Sequence, residues 1–195
     1  MEHSESLLSL KKRMIQFAAF NNEELNNILN KFELKKVKSK TIIIEQGSTA
    51  QNVYFIVNGS MRFFYNHNGK EITGAIFMEN EFVTPHDSFF SQSPTRYSLQ
   101  AIEDTIMFEL SFNKYNELRQ KYPSFTDLTI KILEKALSVT LTNKSRLLIL
   151  THEERYAKIA EDKPEWILRI PDYVLASYLG ITPTSISRIK KRQHS

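Results

Sequence analysis

The feature that most constrains the fold is a series of short runs rich in β-branched and aromatic residues between residues 35 and 110. Some runs are separated by Gln46-Gly47, Asn58-Gly59 and Asn68-Gly69, and such pairs favour tight hairpin turns because glycine readily adopts positive φ. About eight strands in this length make a compact antiparallel sandwich or jelly-roll barrel. We predict strands at residue 37 and over residues 41–44, 53–57, 61–65, 72–77, 81–83, 97–101 and 106–110.

Amphipathic helical patterns lie on both sides of this β-rich region. We predict helices over residues 7–17, over a segment that follows Asn21, and over residues 112–122, 123–148 and 152–161. Asn21 is suited to cap the second helix, because Glu24 follows three positions later. Residues 166–170 are interpreted as a short strand or an extended link that packs Trp166 into a small C-terminal domain.

The long helix that Pro123 opens carries two apolar stripes. The first stripe consists of Phe125, Leu128, Ile132, Ala136 and Val139, and the second consists of Ile130, Leu133, Leu137 and Leu141. A helix on the outside of a monomer needs one buried stripe. The seven-residue recurrence in the first stripe favours a parallel pair of helices. We therefore predict a homodimer with the first stripe as its interface; the alternative is a helix buried on two sides within one chain.

The C-terminal end of the chain follows the pattern of a helix-turn-helix. Gly180 can close the first helix in the left-handed conformation, Thr182 can cap the second, and Pro183 suits that helix's first position. Ile186 and Ile189 are expected to anchor the second helix in the core, which leaves its polar side chains on other faces.

The second of these helices has the side chains expected of a DNA reader, because hydroxyls can bond bases or phosphates and an Arg can pair bidentately with guanine. The chain has 26 Lys or Arg and 22 Asp or Glu, and residues 181–195 alone carry four of the cations and no acid. The net charge of +4 therefore lies where a polyanion-binding surface needs it. With a recognition helix over about residues 182–192 and Arg188 as the leading base reader, the predicted DNA-binding residues are Thr182, Thr184, Ser185, Ser187, Arg188, Lys190 and Lys191. The alternative is a solvated basic helix that contacts protein or has no binding role.

Composition excludes several other classes. A chain of 195 residues holds one large domain, or a medium one with a small one. It has no cysteine, which excludes disulfides and thiolate-bound metal or iron–sulfur sites. It has no Gly-rich phosphate loop, nucleophile elbow or His-Glu metal motif, so we predict neither an enzyme nor a resident cofactor. Without a membrane-length apolar run or a signal-like start, we expect a soluble, cytoplasmic protein with no membrane partner.

Over about residues 17–193, the chain resembles the Crp/Fnr family of transcription regulators. The resemblance rests on residues 44–47, 53–61 and 68–71 in the β-region, and on residues 176–182 followed by Ser187-Arg188-Ile189. It implies an α+β fold in which residues 1–122 are N-terminal helices plus an antiparallel β-roll (jelly-roll) effector domain, 123–149 a dimerisation helix and 150–195 a small winged-helix/helix-turn-helix domain. It also implies a homodimer that binds double-stranded DNA, with an unknown small-molecule effector and RNA polymerase as candidate partners.

The resemblance does not imply cyclic AMP as the effector. Cyclic-nucleotide members of the family hold the ribose with a Gly-Glu dipeptide and the phosphate with an Arg-Ser or Arg-Thr pair. An ungapped alignment places Thr84-Pro85 and Thr95-Arg96 at these positions, so the carboxylate is missing and the guanidinium is one residue late. Such a shift turns an extended side chain to the opposite face, although a register slip at Pro94 could restore Arg96. The candidate effector-pocket residues are Thr84, Pro85, His86, Thr95, Arg96 and Tyr97.

The β-region also has an aromatic bias, in Phe64, Phe77, Phe82, Phe89, Phe90 and Tyr97. These residues could line a cavity for an apolar or planar effector, but for most of them the favoured interpretation is packing in the sandwich core. His86 and Asp87 could bind an anion or a metal in the same region, but two polar residues in a loop are a weak signal, and no metal site is predicted.

Overall fold

The computed structural model of the chain describes residues 2–193, with side chains described for residues 3–191. Two helices come first, α1 (Glu2–Ile15) and α2 (Asn22–Leu29). Asn21 caps α2 as predicted, because its side-chain oxygen accepts a hydrogen bond of 2.8 Å from the backbone N–H of Glu24. Both helices pack on the β-domain through buried apolar residues such as Leu10 and Ile28.

Within the described residues the predicted eight strands are all present, with shifted bounds. They are β1 (Glu33–Val37), β2 (Ile42–Ile44), β3 (Asn52–Asn58), β4 (Met61–His67), β5 (Lys70–Phe77), β6 (Phe82–Val83), β7 (Ser98–Ala101) and β8 (Thr105–Ser111). A short helix, α3 (His86–Ser91), lies between β6 and β7. The strands form two antiparallel sheets in the orders β1-β8-β3-β6 and β2-β7-β4-β5. This is the predicted antiparallel β-roll, with its core between the sheets.

The predicted glycine turns form for the expected reason. Asn68 and Gly69 both have positive φ, at 52° and 78°, as a two-residue hairpin turn requires. Gly59 has φ of 102°, and a Cβ there would lie 2.5 Å from Thr105 Oγ1 and 2.8 Å from the Asp104 carbonyl oxygen. Glycine therefore suits position 59 for two reasons, the positive φ and the close approach of residues 104 and 105.

Three helices then lead out of the β-domain: α4 (Phe112–Lys121), α5 (Pro123–Ile149) and α6 (His152–Asp162). Pro123 begins α5, as predicted. Thr151 and Glu154 form a capping box at the start of α6, with Thr151 Oγ1 accepting from the Glu154 N–H at 3.3 Å. Of the helices that the structure describes, none combines the length and the apolar character needed to cross a bilayer.

The last three helices are α7 (Pro164–Arg169), α8 (Asp172–Leu179) and α9 (Pro183–Gln193). The interpretation of residues 166–170 as a strand or extended link is wrong, because Pro164 starts a helix and the Ile170 N–H donates to the Trp166 carbonyl at 2.9 Å. Trp166 does pack into the C-terminal core, with 3% of its surface exposed. From residue 150 to residue 193 the structure contains helices and no strand, so the strand pair of the expected winged helix is missing there.

A second apolar core joins the C-terminal helices to the β-roll. It contains Trp166, Leu175 and Ile186 from the helices, together with Ile76 and Ile102 from the β-domain. Burying an Ile side chain contributes about 1.5–3 kcal/mol. The C-terminal helices are therefore held on the β-roll by shared packing, and the two parts enclose a cleft.

Candidate functional site

The turn between α8 and α9 has the local structure that the sequence predicts. Gly180 takes the left-handed conformation at φ of 74°, and the N–H of Ile181 donates to the Ala176 carbonyl at 2.9 Å, as in a Schellman motif. Thr182 Oγ1 accepts from the Ser185 N–H at 3.2 Å and so caps α9. The turn holds α9 against α8 with a fixed face toward solvent.

The outer face of α9 brings together Thr184, Ser187, Arg188 and Lys191, which are all exposed and recur every three or four residues. Ile186 and Ile189 lie on the opposite face, with 0% and 7% of their surfaces exposed. Thr182 is also exposed and lies beside this face at the start of the helix. Of the seven predicted DNA-binding residues, Ser185 and Lys190 are partly buried.

Lys190 forms an ion pair within the chain, because its Nζ lies 2.5 Å from Asp172 Oδ1 of α8. Part of the predicted positive charge is therefore neutralised within the chain. The side chain of Arg192, which belongs to the same predicted charge cluster, lies outside the described side chains.

The segment expected to form the effector cassette does not supply a cation to a pocket. Arg96 lies on the surface with 82% of its side chain exposed and pairs with Asp87 at 3.4 Å, so its assignment to the effector pocket is corrected. The one-residue shift explains this position. Thr84 and Thr95 are buried, and their hydroxyls donate to the backbone carbonyls of Asn52 at 2.9 Å and Tyr97 at 3.0 Å.

A cleft of about 800 Å³ lies between β4 and β5 of the β-roll, α5 and the C-terminal helices. Of the predicted pocket residues, His86 and Tyr97 line it, whereas Thr84, Pro85, Thr95 and Arg96 do not. Thr84 lines a much smaller cavity of about 40 Å³. Among the aromatic residues singled out in the sequence, Phe77, Phe82 and Tyr97 line the large cleft and Phe89 is buried in the β-roll core.

The cleft wall is both aromatic and basic. The Phe63 ring lies 4.8 Å from that of Phe77 and 4.6 Å from that of Tyr97. Seven Lys or Arg and one Glu line the cleft, and two of the cations, Arg146 and Lys158, pair with Asp162 at 2.8 Å and 3.1 Å. Burial lowers the pKa of Lys163, another of these cations. Such a surface favours an anion with an apolar or planar body.

Sequence reasoning missed the basic residues of this cleft. Arg13 lies on α1, Arg155 on α6 and Lys163 beside α7, and each belongs to an ordinary helical pattern with no local motif. The packing of the C-terminal helices on the β-roll brings them to one cavity. An alignment of homologues would be the kind of signal that could connect residues this far apart in the chain.

Polar contacts supplement the apolar packing between α8 and the β-roll. The Ser177 hydroxyl accepts from the Thr73 N–H at 2.9 Å and donates to the Glu71 carbonyl at 3.0 Å. Arg62, another residue that the sequence did not single out, is 2% exposed and pairs with the Glu71 carboxylate. Its guanidinium lies 5.8 Å from the centre of the Tyr173 ring of α8.

Arg169 of α7 makes ionic contacts with two glutamates of the β-roll domain. Its guanidinium nitrogens donate to Glu79 at 2.6 Å and 2.9 Å and to Glu103 at 2.6 Å. Burial raises the pKa of Glu79, but the hydrogen bonds from Arg169 and from the backbone N–H groups of Glu79 and Gly59, together with the charge of Arg169, outweigh burial and leave the pKa below its ordinary value. The hydrogen bond to Glu79 likewise raises the pKa of Arg169.

The exposed stripe of α5 is not the predicted one. Phe125 and Leu128 are 3% and 2% exposed because they pack in the chain's own core, so their assignment to a dimer interface is corrected. Ile132, Ala136 and Val139 line the cleft, and Val139 is also 46% exposed. Of the second stripe, Ile130, Leu137 and Leu141 are exposed by 47%, 60% and 55%, whereas Leu133 is partly buried.

Among the described residues, no group of three or more His, Cys, Asp or Glu could hold a metal ion. The candidate site consists of two surfaces, the outer face of α9 and the basic aromatic cleft. Helix α8 lies between them and packs against α9.

Comparisons with known proteins agree with this architecture. The family model of the cyclic nucleotide-binding domain matches residues 34–122. No curated protein matches the sequence significantly. Among solved structures, the c-di-GMP responsive global regulator CLP of Xanthomonas campestris is 20% identical, with a TM-score of 0.71 over 89% of this chain and 92% of that one.

Two further structures give the same result. FixK2 of Bradyrhizobium japonicum is 18% identical, with a TM-score of 0.69 over 84% of each chain. A CooA variant from Carboxydothermus hydrogenoformans is 22% identical, with a TM-score of 0.68 over 90% of this chain and 85% of that one. Residues 34–122 thus match the cyclic nucleotide-binding domain family, and the chain as a whole shares its fold with these three solved structures.

Proposed function

We propose that this protein is a homodimeric, sequence-specific DNA-binding transcription regulator of the Crp/Fnr type. The observation that carries the proposal is the outer face of α9, where Thr184, Ser187, Arg188 and Lys191 are exposed together on one side of the helix. Hydroxyl and guanidinium groups at this spacing suit a major groove. The α8–turn–α9 unit would act as the helix-turn-helix, with α9 as its recognition helix.

The residues would divide into base readers and phosphate binders. Arg188 would read a base, with Thr184 and Ser185 nearby. Thr182, Ser187, Lys190 and Lys191 would hold phosphates, which positions the protein without reading sequence. Lys190 would have to share its charge between Asp172 and a phosphate, because its Nζ already contacts that carboxylate.

A dimer would place two copies of α9 in successive major grooves, about 34 Å apart. The exposed second stripe of α5, Ile130, Leu137 and Leu141, would form its interface. In this arrangement residues 1–122 sense an effector, 123–149 dimerise and 150–195 bind DNA. The effector would be a small molecule other than cyclic AMP, since Arg96 lies on the surface, and RNA polymerase is a candidate partner of the DNA-bound dimer.

The first test is selection of bound sequences from a random duplex pool, with purified protein and no added effector. Recovery of a palindrome with half-sites about ten base pairs apart would support a dimeric reader. Affinity for that site should fall on the order of a thousandfold between 50 and 200 mM salt, because several phosphate contacts release counterions. A shallow salt dependence would favour the second candidate, a regulatory module whose basic helix contacts protein.

Arg188→Ala should cost about 1–3 kcal/mol on the selected site and relax the preference at one base position, because the bidentate base contact is lost. Lys191→Ala is the matched control, since loss of a phosphate contact weakens all duplexes about equally. Binding of both variants to the selected and scrambled duplexes measures the difference. If Arg188→Ala weakened both duplexes equally, Arg188 would not be a base reader.

A further inference from the structure

Most of the buried donors without a partner lie in the cleft. Four side-chain nitrogen or oxygen atoms of the described residues are buried without a hydrogen-bond partner, and three of them belong to residues that line this cavity: Arg13 Nε, Arg155 Nε and Trp166 Nε1. Trp166 is 97% buried, with 3% of its surface exposed. A buried donor without an acceptor destabilises the folded chain, because it has lost its hydrogen bond to water. Their concentration in one cavity indicates a place where an acceptor binds.

Lys163 and Arg155, which line the cleft together with Trp166, carry donor groups. Lys163 Nζ lies 4.0 Å from the centre of the Trp166 ring. Among the described residues, no carboxylate lies within 4.0 Å of the charged nitrogens of Lys163 or Arg155. Guanidinium, ammonium and indole N–H groups can donate hydrogen bonds but accept none. Together they fit a group that only accepts, such as a carboxylate or a phosphate.

The rest of the cleft fits an elongated apolar body. Its wall follows α5 from Ile132 to Leu147, which is about 22 Å at 1.5 Å per residue. Phe63, Tyr65 and Tyr97 form an aromatic surface opposite this helix. A volume of about 800 Å³ suits an organic ligand rather than an inorganic ion.

We propose that the cleft binds an amphipathic organic anion, whose carboxylate or phosphate contacts Arg155, Lys163 and the Trp166 N–H while its planar or apolar body lies along the aromatic wall. The cations come from the C-terminal helices and not from the segment that aligns with the cyclic-nucleotide cassette. A ligand here would touch both the β-roll and the helices that carry α9. Its role as the effector rests on the proposed function, whereas its binding does not.

Anilinonaphthalene sulfonate is a suitable probe, because it joins a planar body to an acceptor-only anionic group. Phenylnaphthylamine has the same body without the sulfonate. Both are titrated by fluorescence against the full chain without DNA. Arg155→Gln and Lys163→Gln should each weaken sulfonate binding roughly tenfold to a hundredfold, because a charge-assisted hydrogen bond is lost. Neither variant should change binding of the neutral compound more than about twofold.

Lys12→Gln is the charge-matched control, since Lys12 is exposed on α1 outside the cleft. Trp166→Phe is a second variant, which keeps an aromatic ring and removes the unpartnered N–H. We expect this variant to fold and to bind the sulfonate compound at least several-fold more weakly than the wild type. Circular dichroism confirms that each variant is folded.

Equal losses for the charged and neutral compounds would overturn the proposal, as would sulfonate binding that Arg155→Gln and Lys163→Gln leave unchanged. Cyclic AMP is also tested as a competitor of the sulfonate compound. If replacement of Arg96 abolished this competition and replacement of Arg155 did not, the anion would bind at the cassette segment and the proposal would be overturned. Because the titration contains no DNA, a failure here leaves the DNA-binding proposal intact, and a failure to select a DNA site leaves this one intact.

Discussion

Gly59 and Gly180 both have positive φ, but their surroundings differ. A Cβ on Gly59 would collide with Thr105 and with the Asp104 carbonyl, whereas a Cβ on Gly180 would meet no heavy atom within 4 Å. Gly180→Ala should therefore cost only the left-handed strain, about 1–2 kcal/mol. Gly59→Ala carries the same strain plus a clash with backbone, which cannot rotate away, and should cost at least about twice as much.

Urea unfolding followed by circular dichroism measures both losses in the same chain. Gly180→Ala serves as the control for strain alone. Equal losses would mean that the β3–β4 turn can move away from Thr105, and the close approach would not matter for stability.

At the residue scale, sequence reasoning worked where the interacting groups are neighbours in the chain. Asn21, Gly180 and Thr182 were predictable because their hydrogen bonds join residues up to five positions apart. Arg62 and Arg155 were not, because their positions depend on elements that come together only in the folded chain. A buried arginine such as Arg62, which lies between Met61 and Phe63 in the sequence, has no distinct local pattern.

Helix α5 shows the same limit at the scale of an element. Its bounds follow from Pro123 and the helical repeat, and the structure confirms them closely. Its two apolar stripes have similar composition, however, so the sequence could not say which one packs on the β-roll. The short helix α7 was missed because five residues rich in Trp, Ile and Leu also fit a strand.

The exposed stripe of α5 leads to a prediction about assembly. Leu137→Glu should weaken the proposed dimer by about 2–4 kcal/mol, since each of two copies loses the burial of a leucine. Thr142→Glu is the control, because Thr142 is exposed on another face of the same helix. Sedimentation equilibrium measures both dissociation constants. The same molecular mass for both variants at every concentration would exclude this stripe as the interface.

The contact between Arg169 and two glutamates matters for the whole molecule, because it joins the C-terminal helices to the β-roll. Arg169→Gln leaves Glu79 and Glu103 without their cation and should weaken this contact by roughly 1–2 kcal/mol, allowing for partial solvent exposure. Trp166 is the single tryptophan of the chain, so acrylamide quenching of its fluorescence reports on the contact directly. Quenching should increase in Arg169→Gln and not in the exposed control Arg119→Gln.

The dependence of this contact on pH gives a second check. The pKa of Glu79 is lowered in the folded chain, so its contribution is fully present above the ordinary value of 4.5 and is lost as pH falls through the lowered value. Acrylamide quenching of Trp166 should therefore differ between wild type and Arg169→Gln at neutral pH, and the two values should become equal in acid. A difference that persists unchanged below that range would mean that Glu79 is not the partner that matters.

At the scale of the whole molecule, charge counts predicted the basic face of α9 but gave no sign of the basic cleft. Residues 181–195 hold all of the net charge, which pointed to α9. Residues 1–180 sum to zero, yet seven cations and one acid from this region line a single cleft. A sum over sequence cannot show this, because it does not say which charged residues the fold brings together.

Strand β5 lies at the edge of its sheet, and α8 covers that edge. The Thr73 N–H and the Glu71 carbonyl point away from β4 and are satisfied by the Ser177 hydroxyl. An uncovered strand edge is a template for pairing with another chain. Any movement that lifts α8 from the β-roll therefore also exposes an aggregation-prone edge, so the range of motion open to the C-terminal helices is coupled to the solubility of the protein.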